Sequence, residues 1–205
     1  APYLLAKHRG GARIGHDTVS DSLYLDGLED AYSPGKLMGV FAEEAAVAYQ
    51  FSREAQDAYA VESLTRARRA VETGAFKREI AAVEVSTRKG TEVVDTDEAP
   101  LKADLAKIPT LKPAFSRDGT VTAANSSSIS DGAAALVITR ASVAERLGLS
   151  VVARIVAHAA HAHEPGLFTT APVPAIQKVL AKAGWSVGDV DLFEVNEAFA
   201  VVAMI

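Results

Sequence analysis

The sequence predicts an α/β protein, and two observations lead to that prediction. Over residues 120–205, three short apolar segments alternate with three helical patterns, an order typical of layered α/β structures with a largely parallel core sheet. Residues 1–119 differ in composition, because they combine widely spaced glycines, one long helical pattern and one hairpin pattern. We therefore predict two regions with a boundary near residue 119.

The first region is predicted to contain a loop-rich start, one helix, one hairpin and a long loop. Residues 1–40 have scattered glycines, which is typical of irregular surface structure. Ser52 and Gly74 bound a helical pattern as its N-cap and its left-handed stop. Alternation over residues 83–94 predicts a hairpin, and three prolines within residues 99–119 predict a long, functional loop.

The second region is predicted to alternate strands and helices. Ser142 and Glu145 form the pattern of a capping box for a short helix that ends at Gly148. Residues 174–184 place apolar side chains on one helical stripe, which Gly184 ends. Three apolar segments predict buried strands: residues 133–138, 151–159 and 190–195. The first of them is equally compatible with a buried helix.

Composition excludes several classes of function. The 205 residues include no cysteine, so this chain cannot supply a catalytic thiolate, a cysteine-ligated zinc site or an iron–sulfur cluster. A net charge of −5 argues against sequence-independent nucleic-acid binding, which needs a basic surface. No apolar run approaches the ~20 residues that cross a bilayer, and the first residues lack the pattern of a secretion signal. We expect a cytoplasmic globular protein with neither nucleic acid nor membrane as a partner.

Two motifs that invite a chemical interpretation have a simpler structural one. His158, His161 and His163 lack a companion acidic pair at metal-ligand spacing, so we expect hydrogen-bonded or solvated loop histidines and no metal site. Gly10, Gly11 and Gly15 match neither phosphate-loop pattern, and we interpret them as loop glycines with positive φ.

Two further motifs stay open on local evidence. The serines at 126–128 either form a polar loop that caps a helix or contact a ligand, since small hydroxyl residues allow close approach. Asn196 follows the last predicted strand, at the sheet end where ligands usually bind in α/β proteins. With Glu197 it would cap a helix, which the local pattern favours, or its amide would position a water or an oxyanion.

Five segments of the chain together resemble the thiolase family, in its acetyl-CoA acetyltransferase and acyltransferase branch. They follow the family order across essentially the whole chain, and the last two are highly specific. The segments are GLEDAY at 27–32, LMGVFAE at 37–43, SREAQDAYA at 52–60, LKPAFSRDGTVTAANSSSISDGAAA at 111–135 and DLFEVNEAFA at 191–200.

The resemblance implies part of the five-layer thiolase fold, in which two similar α/β halves pack together and a long loop domain is inserted in the first. It implies that residues 1–119 form the loop domain, which covers coenzyme A. Residues 120–150 would end the N-terminal half, and residues 151–205 would begin the C-terminal half. Both halves would then be incomplete within this chain.

The resemblance also implies a reaction. Family members transfer an acyl group to a nucleophilic cysteine and from there to a second acyl-CoA, which another cysteine deprotonates; a histidine of a GHP motif activates the nucleophile. Asn196 matches the NEAF asparagine, which holds a water that helps to stabilise the thioester enolate. The residues that match coenzyme A contacts are Leu28, Met38, Phe115, Ala123, Ser127, Phe168, Ala198 and Phe199. Coenzyme A and acyl-CoA would be substrates, so we expect no separate cofactor.

The chain also departs from the family pattern. It contains neither the two cysteines nor the GHP histidine, and its last ten residues end in an apolar run without a helix cap. These two observations predict an incomplete chain that is inactive alone. Leu37 stands where a histidine is common, which implies a different acyl-chain preference from the short-chain biosynthetic enzymes. The resemblance favours a homo-oligomer, a dimer or a tetramer. The alternative function is a non-catalytic coenzyme A-binding or scaffold module derived from a thiolase.

Overall fold

The computed structural model describes residues 1–205 as a set of helices, two small antiparallel sheets and long irregular segments. The helices are α1 (Met38–Ala48), α2 (Arg53–Thr73), α3 (Ala99–Lys102), α4 (Ala141–Arg146), α5 (Pro172–Ala183) and α6 (Ala200–Met204). The strands are β1 (Tyr3–Leu4), β2 (Ser20–Asp21), β3 (Val83–Thr87) and β4 (Gly90–Val94). A π-helix spans Tyr24–Leu28, and 3-10 helices span Leu105–Thr110, Pro165–Thr170 and Val187–Asp189.

Helix α2 confirms the helix predicted for residues 52–74. The Ser52 hydroxyl accepts a hydrogen bond from the Ala55 N–H at 3.1 Å, which satisfies one free amide of the first turn. Gly74 ends the helix with a φ of +68°, a conformation that a side chain would disfavour. Glu54 lies in the first turn, and a hydrogen bond from its own backbone, then one from Ser52, lowers the pKa of its carboxyl. Local capping chemistry therefore defines both ends.

Strands β3 and β4 confirm the hairpin predicted for residues 83–94. Val83 pairs with Val94 and Thr87 pairs with Gly90, so the turn is Arg88 and Lys89. The Thr87 hydroxyl donates to the Gly90 carbonyl at 2.8 Å and reinforces the turn. Both strands are exposed along their whole length.

Residues 99–119 contain two short helices, so the predicted continuous loop is wrong. Pro100 lies at the start of α3, where its missing N–H costs nothing. The Arg68 guanidinium of α2 donates to the Pro100 carbonyl at 2.7 Å and also to the Ala103 carbonyl. These bonds to a charged donor hold backbone that has no regular period of its own.

Helix α1, which contributes most to the core, is not among the helices predicted from the sequence. Its buried residues include Phe41, Ala42, Ala45 and Ala46. One apolar cluster joins α1 to residue 121 and to α6: Ala42, Ala46, Val121, Phe199, Val201 and Val202. Small side chains on α1 allow the C-terminal segment to approach its backbone closely.

The three predicted strands at 133–138, 151–159 and 190–195 are not strands in this chain. None of these segments forms a β-ladder, and most of their apolar side chains are exposed, as in Val137 at 97% and Val152 at 99%. A strand is stabilised by hydrogen bonds to a neighbouring strand, and the 205 residues place no such neighbour beside them. The apolar pattern identified the segments but could not supply their partners.

Helices α4 and α5 confirm two predicted helices in residues 142–184. Gly184 ends α5 with a φ of +71°, and the apolar stripe of α5 faces Val156, Leu192 and Phe193 across a groove. The capping box predicted for α4 is wrong, because Arg140 is the N-cap and no side chain caps the helix. No helix in the chain has both the length and the apolar character to span a membrane.

Gly184→Ala tests the left-handed end of α5. A methyl group on Gly184 would meet no atom within 4 Å, but the residue has a φ of +71°. We expect the free energy of unfolding, measured by urea denaturation, to fall by about 1 kcal/mol. Gly10→Ala is the matched control, because Gly10 has the same open space and a φ outside the left-handed region. An equal effect of the two substitutions would contradict the assignment.

Candidate functional site

A buried carboxylate on α1 holds the segment that leads into the site. Glu43 is 8% exposed, and its two oxygens accept hydrogen bonds from the backbone N–H of Thr120 at 2.8 and 3.0 Å and of Val121 at 2.9 Å. The Thr120 hydroxyl donates to the same carboxylate at 3.1 Å. A Cβ on Gly119 would overlap this carboxylate, so glycine is required for the close approach. The charge is therefore buried but fully hydrogen-bonded.

A second set of buried polar groups fixes the same segment to α2. Asn125 accepts from the Thr122 N–H at 2.7 Å and donates to the Thr120 carbonyl at 3.0 Å and to Asp57 at 3.3 Å. Asp57 in turn accepts from Arg53 at 2.7 Å. These bonds give residues 120–126 a defined shape although they form no strand or helix.

The segment after Asn125 pairs with the C-terminal segment of the chain. Ser126 and Phe199 form an isolated antiparallel bridge. The Ser127 N–H donates to the Ala198 carbonyl at 2.9 Å, and the Ala200 N–H donates to the Asn125 carbonyl at 2.9 Å. The pairing brings together three predicted site residues that are about 70 positions apart in sequence, Ser127 on one side and Ala198 and Phe199 on the other.

Aromatic side chains surround this pairing. Phe115 lies edge-on to Phe199 with ring centroids 6.1 Å apart, and Phe168 lies edge-on to Phe41 at 6.2 Å. A Cβ on Gly39 would overlap the Phe115 ring, so this glycine makes room for it. Four predicted site residues pack against the core cluster of α1 and α6: Met38, Phe115, Phe168 and Ala198. Phe199 is a member of that cluster.

Two of the predicted coenzyme A contacts neither pack in the cluster nor take part in the pairing of Ser127 with Ala198. Leu28 is half-buried at the end of the π-helix, and the bridge between Glu29 and Leu37 places it opposite Met38. Ala123 is exposed, in the turn between Thr122 and Asn125. The structure therefore gathers most, but not all, of the predicted positions around Phe199.

Asn196 does not cap a helix, so the interpretation that the local pattern favoured is wrong. Helix α6 begins at Ala200, its N-cap is Phe199, and no side chain caps it. The Asn196 carbonyl accepts from the Ala198 N–H at 2.9 Å, while the exposed carboxamide makes no hydrogen bond within the chain. The backbone of Asn196 is thus fixed and its amide is available to a ligand.

Glu197 faces α2 and not the start of α6. Its carboxylate accepts from the Ser63 hydroxyl at 3.0 Å. Burial, and then the nearby Glu197 charge, raise the pKa of the Tyr59 phenol on the same face of α2. Glu197 therefore fixes the turn that presents Asn196.

The structure also describes the serine, glycine and histidine motifs. Ser126 donates to the Thr122 carbonyl at 2.7 Å and Ser128 is bonded to Ser130 at 2.9 Å; no helix follows for these serines to cap. Gly11 and Gly15 have φ of +92° and +127°, as predicted for loop glycines, but Gly10 does not have a positive φ, so the prediction is wrong for that residue. His161 and His163 lie side by side, and no group of three or more His, Asp or Glu side chains is placed to hold a metal ion.

Several residues that shape the site were not singled out from the sequence. Phe41 and Glu43 lie within LMGVFAE, and Asn125 lies within the long segment at 111–135, so the family resemblance included them without a role. Asp57 belongs to the SREAQDAYA segment in the same way. The only sequence signal for the polar members of this set was a charged or amide side chain among small residues. Such a pattern does not predict burial until the hydrogen-bond partners of the side chain are known.

Comparison with known proteins identifies the class. Residues 1–142 match the family model "Thiolase, N-terminal domain" and residues 149–205 match "Thiolase, C-terminal domain". The chain belongs to the thiolase family. The structure superposes on the crystal structure of the Bacillus anthracis acetyl-CoA acetyltransferase with a TM-score of 0.93 and 38% identity, over 100% of this chain and 52% of that one. The α/β fold class, as part of the thiolase fold, is therefore confirmed.

Individual relatives share about half of their residues with this chain over the aligned length. The chain is 50% identical to acetyl-CoA acetyltransferase 2 of Arabidopsis thaliana over 206 residues, which cover 99% of this chain and 51% of the relative. It is 47% identical to the cytosolic acetyl-CoA acetyltransferase of Mus musculus, with the same coverage. The chain spans about half the length of the curated relatives it matches.

Glu43→Gln tests the buried carboxylate. Glutamine offers one acceptor oxygen and places an NH₂ group against backbone donors, so we expect the free energy of unfolding to fall by about 2 kcal/mol. Glu44→Gln is the matched control, because Glu44 is its neighbour but is exposed and bonded only to Lys36, and we expect a change below about 1 kcal/mol. Similar losses measured by urea denaturation for both variants would contradict the role of Glu43.

Proposed function

We propose that the full-length protein containing these 205 residues is a thiolase-type acyltransferase. It would make or cleave 3-oxoacyl-CoA with coenzyme A through a cysteine acyl-enzyme. The observation that carries this proposal is the pairing of residues 125–127 with residues 198–200, which assembles most of the family-matched coenzyme A positions around Phe199. Membership of the thiolase family supports it.

The chain would supply the substrate-binding surface. We propose that the pantetheine arm and the acyl group lie along Leu28, Met38, Phe115, Ala123, Ser127, Phe168, Ala198 and Phe199. Half-buried aromatic and small side chains beside exposed backbone suit a substrate arm that alternates apolar and amide groups. Coenzyme A and acyl-CoA are the substrates, and no separate cofactor is proposed.

Asn196 would contribute to the oxyanion hole. Its carboxamide is exposed and free of hydrogen bonds within the chain, while the bond from Ala198 fixes its backbone. An amide NH₂ can donate to a water that in turn donates to the thioester oxygen as negative charge develops there. The thiolate steps need residues outside this chain, because the 205 residues contain no cysteine.

The setting of the enzyme is part of the proposal. Relatives in Arabidopsis thaliana and Mus musculus are named for acetyl-CoA, which supports acyl-CoA substrates, and Leu37 in place of a common histidine supports a distinct acyl-chain preference. Relatives in mouse and rat are named cytosolic, which supports a cytoplasmic location. We propose a homo-oligomer, a dimer or a tetramer, that acts in fatty acid and lipid metabolism.

The absence of cysteine favours one alternative, a coenzyme A-binding or scaffold module without catalysis. Intact mass spectrometry of the natural protein with thiol titration separates the two. A mass well above 21.5 kDa with titratable thiols supports the enzyme. A mass near 21.5 kDa with measurable coenzyme A binding supports the module and rejects the enzyme.

Asn196→Ala in the full-length protein tests the oxyanion role. We expect kcat for thiolysis of 3-oxoacyl-CoA to fall by about 10²-fold with little change in KM, because the lost interaction belongs to the transition state. Asp191→Ala is the control, an exposed residue of the same segment with no hydrogen bond, and should leave both constants unchanged. A rise in KM without a fall in kcat would assign Asn196 to binding instead.

A further inference from the structure

Phe168, one of the proposed substrate contacts, lies in a short 3-10 helix that is interrupted at Leu167. The 3-10 helix Pro165–Thr170 contains Leu167 in a non-helical conformation, with φ of −102° and ψ of 17°. Phe41 of α1 packs against this 3-10 helix, through an edge-on contact with Phe168 and a close approach to Gly166. The position of Phe168 therefore depends on what else holds this backbone.

His163 bonds directly to the Phe168 segment. Its Nε2 lies 2.7 Å from the Leu167 carbonyl oxygen and 3.3 Å from the Thr170 hydroxyl. The Thr170 hydroxyl itself donates to the Leu167 carbonyl at 2.8 Å. Because a carbonyl oxygen only accepts, Nε2 of His163 must bear the proton, and in the neutral ring Nδ1 is an acceptor.

The same tautomer extends to His161 and Lys178. Nε2 of His161 lies 3.4 Å from Nδ1 of His163, with the rings nearly perpendicular at 87°, so His161 donates to His163. Nζ of Lys178, on α5, lies 2.9 Å from Nδ1 of His161 and can only donate to it. Every donor thus points in one direction, from Lys178 through both imidazoles to the Leu167 carbonyl.

We propose that Lys178, His161 and His163 form a hydrogen-bond relay that positions Phe168 against the bound acyl-CoA. This inference rests on the proposed function, because it assigns the relay to that substrate site. The relay comprises these three side chains and the Leu167 carbonyl that they reach. His161, His163 and Lys178 are positioning residues, since they act through the backbone beside Phe168.

The relay requires neutral imidazoles. Protonated His161 would direct an Nδ1–H at the Lys178 ammonium, and protonated His163 would direct an Nδ1–H at the Nε2–H of His161. The other cation that α5 presents nearby is Lys182, which donates to the His158 carbonyl at 2.9 Å, and neither relay histidine forms an ion pair with a carboxylate. Partial burial, then the Lys178 charge, then His163 lower the pKa of His161.

The lowered pKa of His161 determines the pH range in which the relay is intact. A histidine whose pKa is lowered in the folded protein binds fewer protons than in the unfolded chain, so its contribution is complete above the ordinary value of about 6.5. The contribution is lost as pH falls from about 6.5 through the lowered pKa. The relay should therefore hold Phe168 at neutral pH and release it in acid.

The first test is the tautomer. In the full-length protein, ¹⁵N-detected imidazole spectra at pH 8 should show His161 and His163 as neutral Nε2–H tautomers, and His161 should titrate below the ordinary histidine range. Nδ1–H tautomers or an ordinary titration would overturn the relay. This result is independent of catalysis, so it stands or fails separately from the proposed function.

The second test is kinetic, on the same protein. His163→Ala should raise KM for acyl-CoA about fivefold at pH 8, the size expected from one lost hydrogen bond, with kcat unchanged, and should abolish the rise of KM in acid. Lys178→Met leaves the Phe168 segment intact and should reduce the acid rise of KM, because a protonated His161 would no longer direct its Nδ1–H at an ammonium and could still donate its Nε2–H to His163.

His158→Ala is the matched control, because His158 is exposed in the same segment and only its backbone carbonyl is bonded. It should keep the wild-type KM and pH profile. Equal pH profiles for the wild type and Lys178→Met would overturn the relay even if His163→Ala failed to fold. Absence of thiolysis in the wild type would reject the proposed function and leave the spectroscopic test to decide the relay.

Discussion

The structure depends most on one buried charge. Glu43 places a carboxylate between α1 and residues 119–121, and the backbone donors of Thr120 and Val121 surround it. A carboxylate buried in this way is stable only while those donors stay in place, since an uncompensated charge in the interior is costly. These hydrogen bonds therefore stabilise two things: the backbone donors of the loop stabilise the buried charge, and the charge holds the loop against α1.

The site follows from that constraint. Once residues 119–121 are fixed, Asn125 and Asp57 fix the next turn, and the backbone of residues 125–127 becomes available for pairing with residues 198–200. The aromatic side chains then pack around the paired segments. Polar contacts determine where the backbone lies, and apolar contacts fill the space that remains. Only 22 of the 205 residues are buried, so apolar packing alone is too limited to position the backbone.

The sequence predicts what is locally determined. Helix α2, the β3–β4 hairpin and α5 were predictable because caps, turns and a helical stripe are encoded within each segment. Helix α1 was not predicted because its alanines and Gly39 do not produce a clear apolar face and polar face along the helix. The segments 133–138, 151–159 and 190–195 were identified as apolar, but pairing is a property of two strands. The site residues came from family resemblance, because Ser127 meets Ala198 only through tertiary structure.

The hydrogen-bond relay shows why such features escape sequence reasoning. HAAHAH suggested a metal site by composition, yet what gives these imidazoles a role is Lys178, 17 positions after His161 and on another element. An ammonium within hydrogen-bond distance opposes a cation ligand and favours a neutral ring with a defined tautomer. The same two histidines would support the opposite conclusion if a carboxylate stood in place of Lys178. The charge that a fold places beside a histidine, more than the histidine's spacing, therefore decides its chemistry.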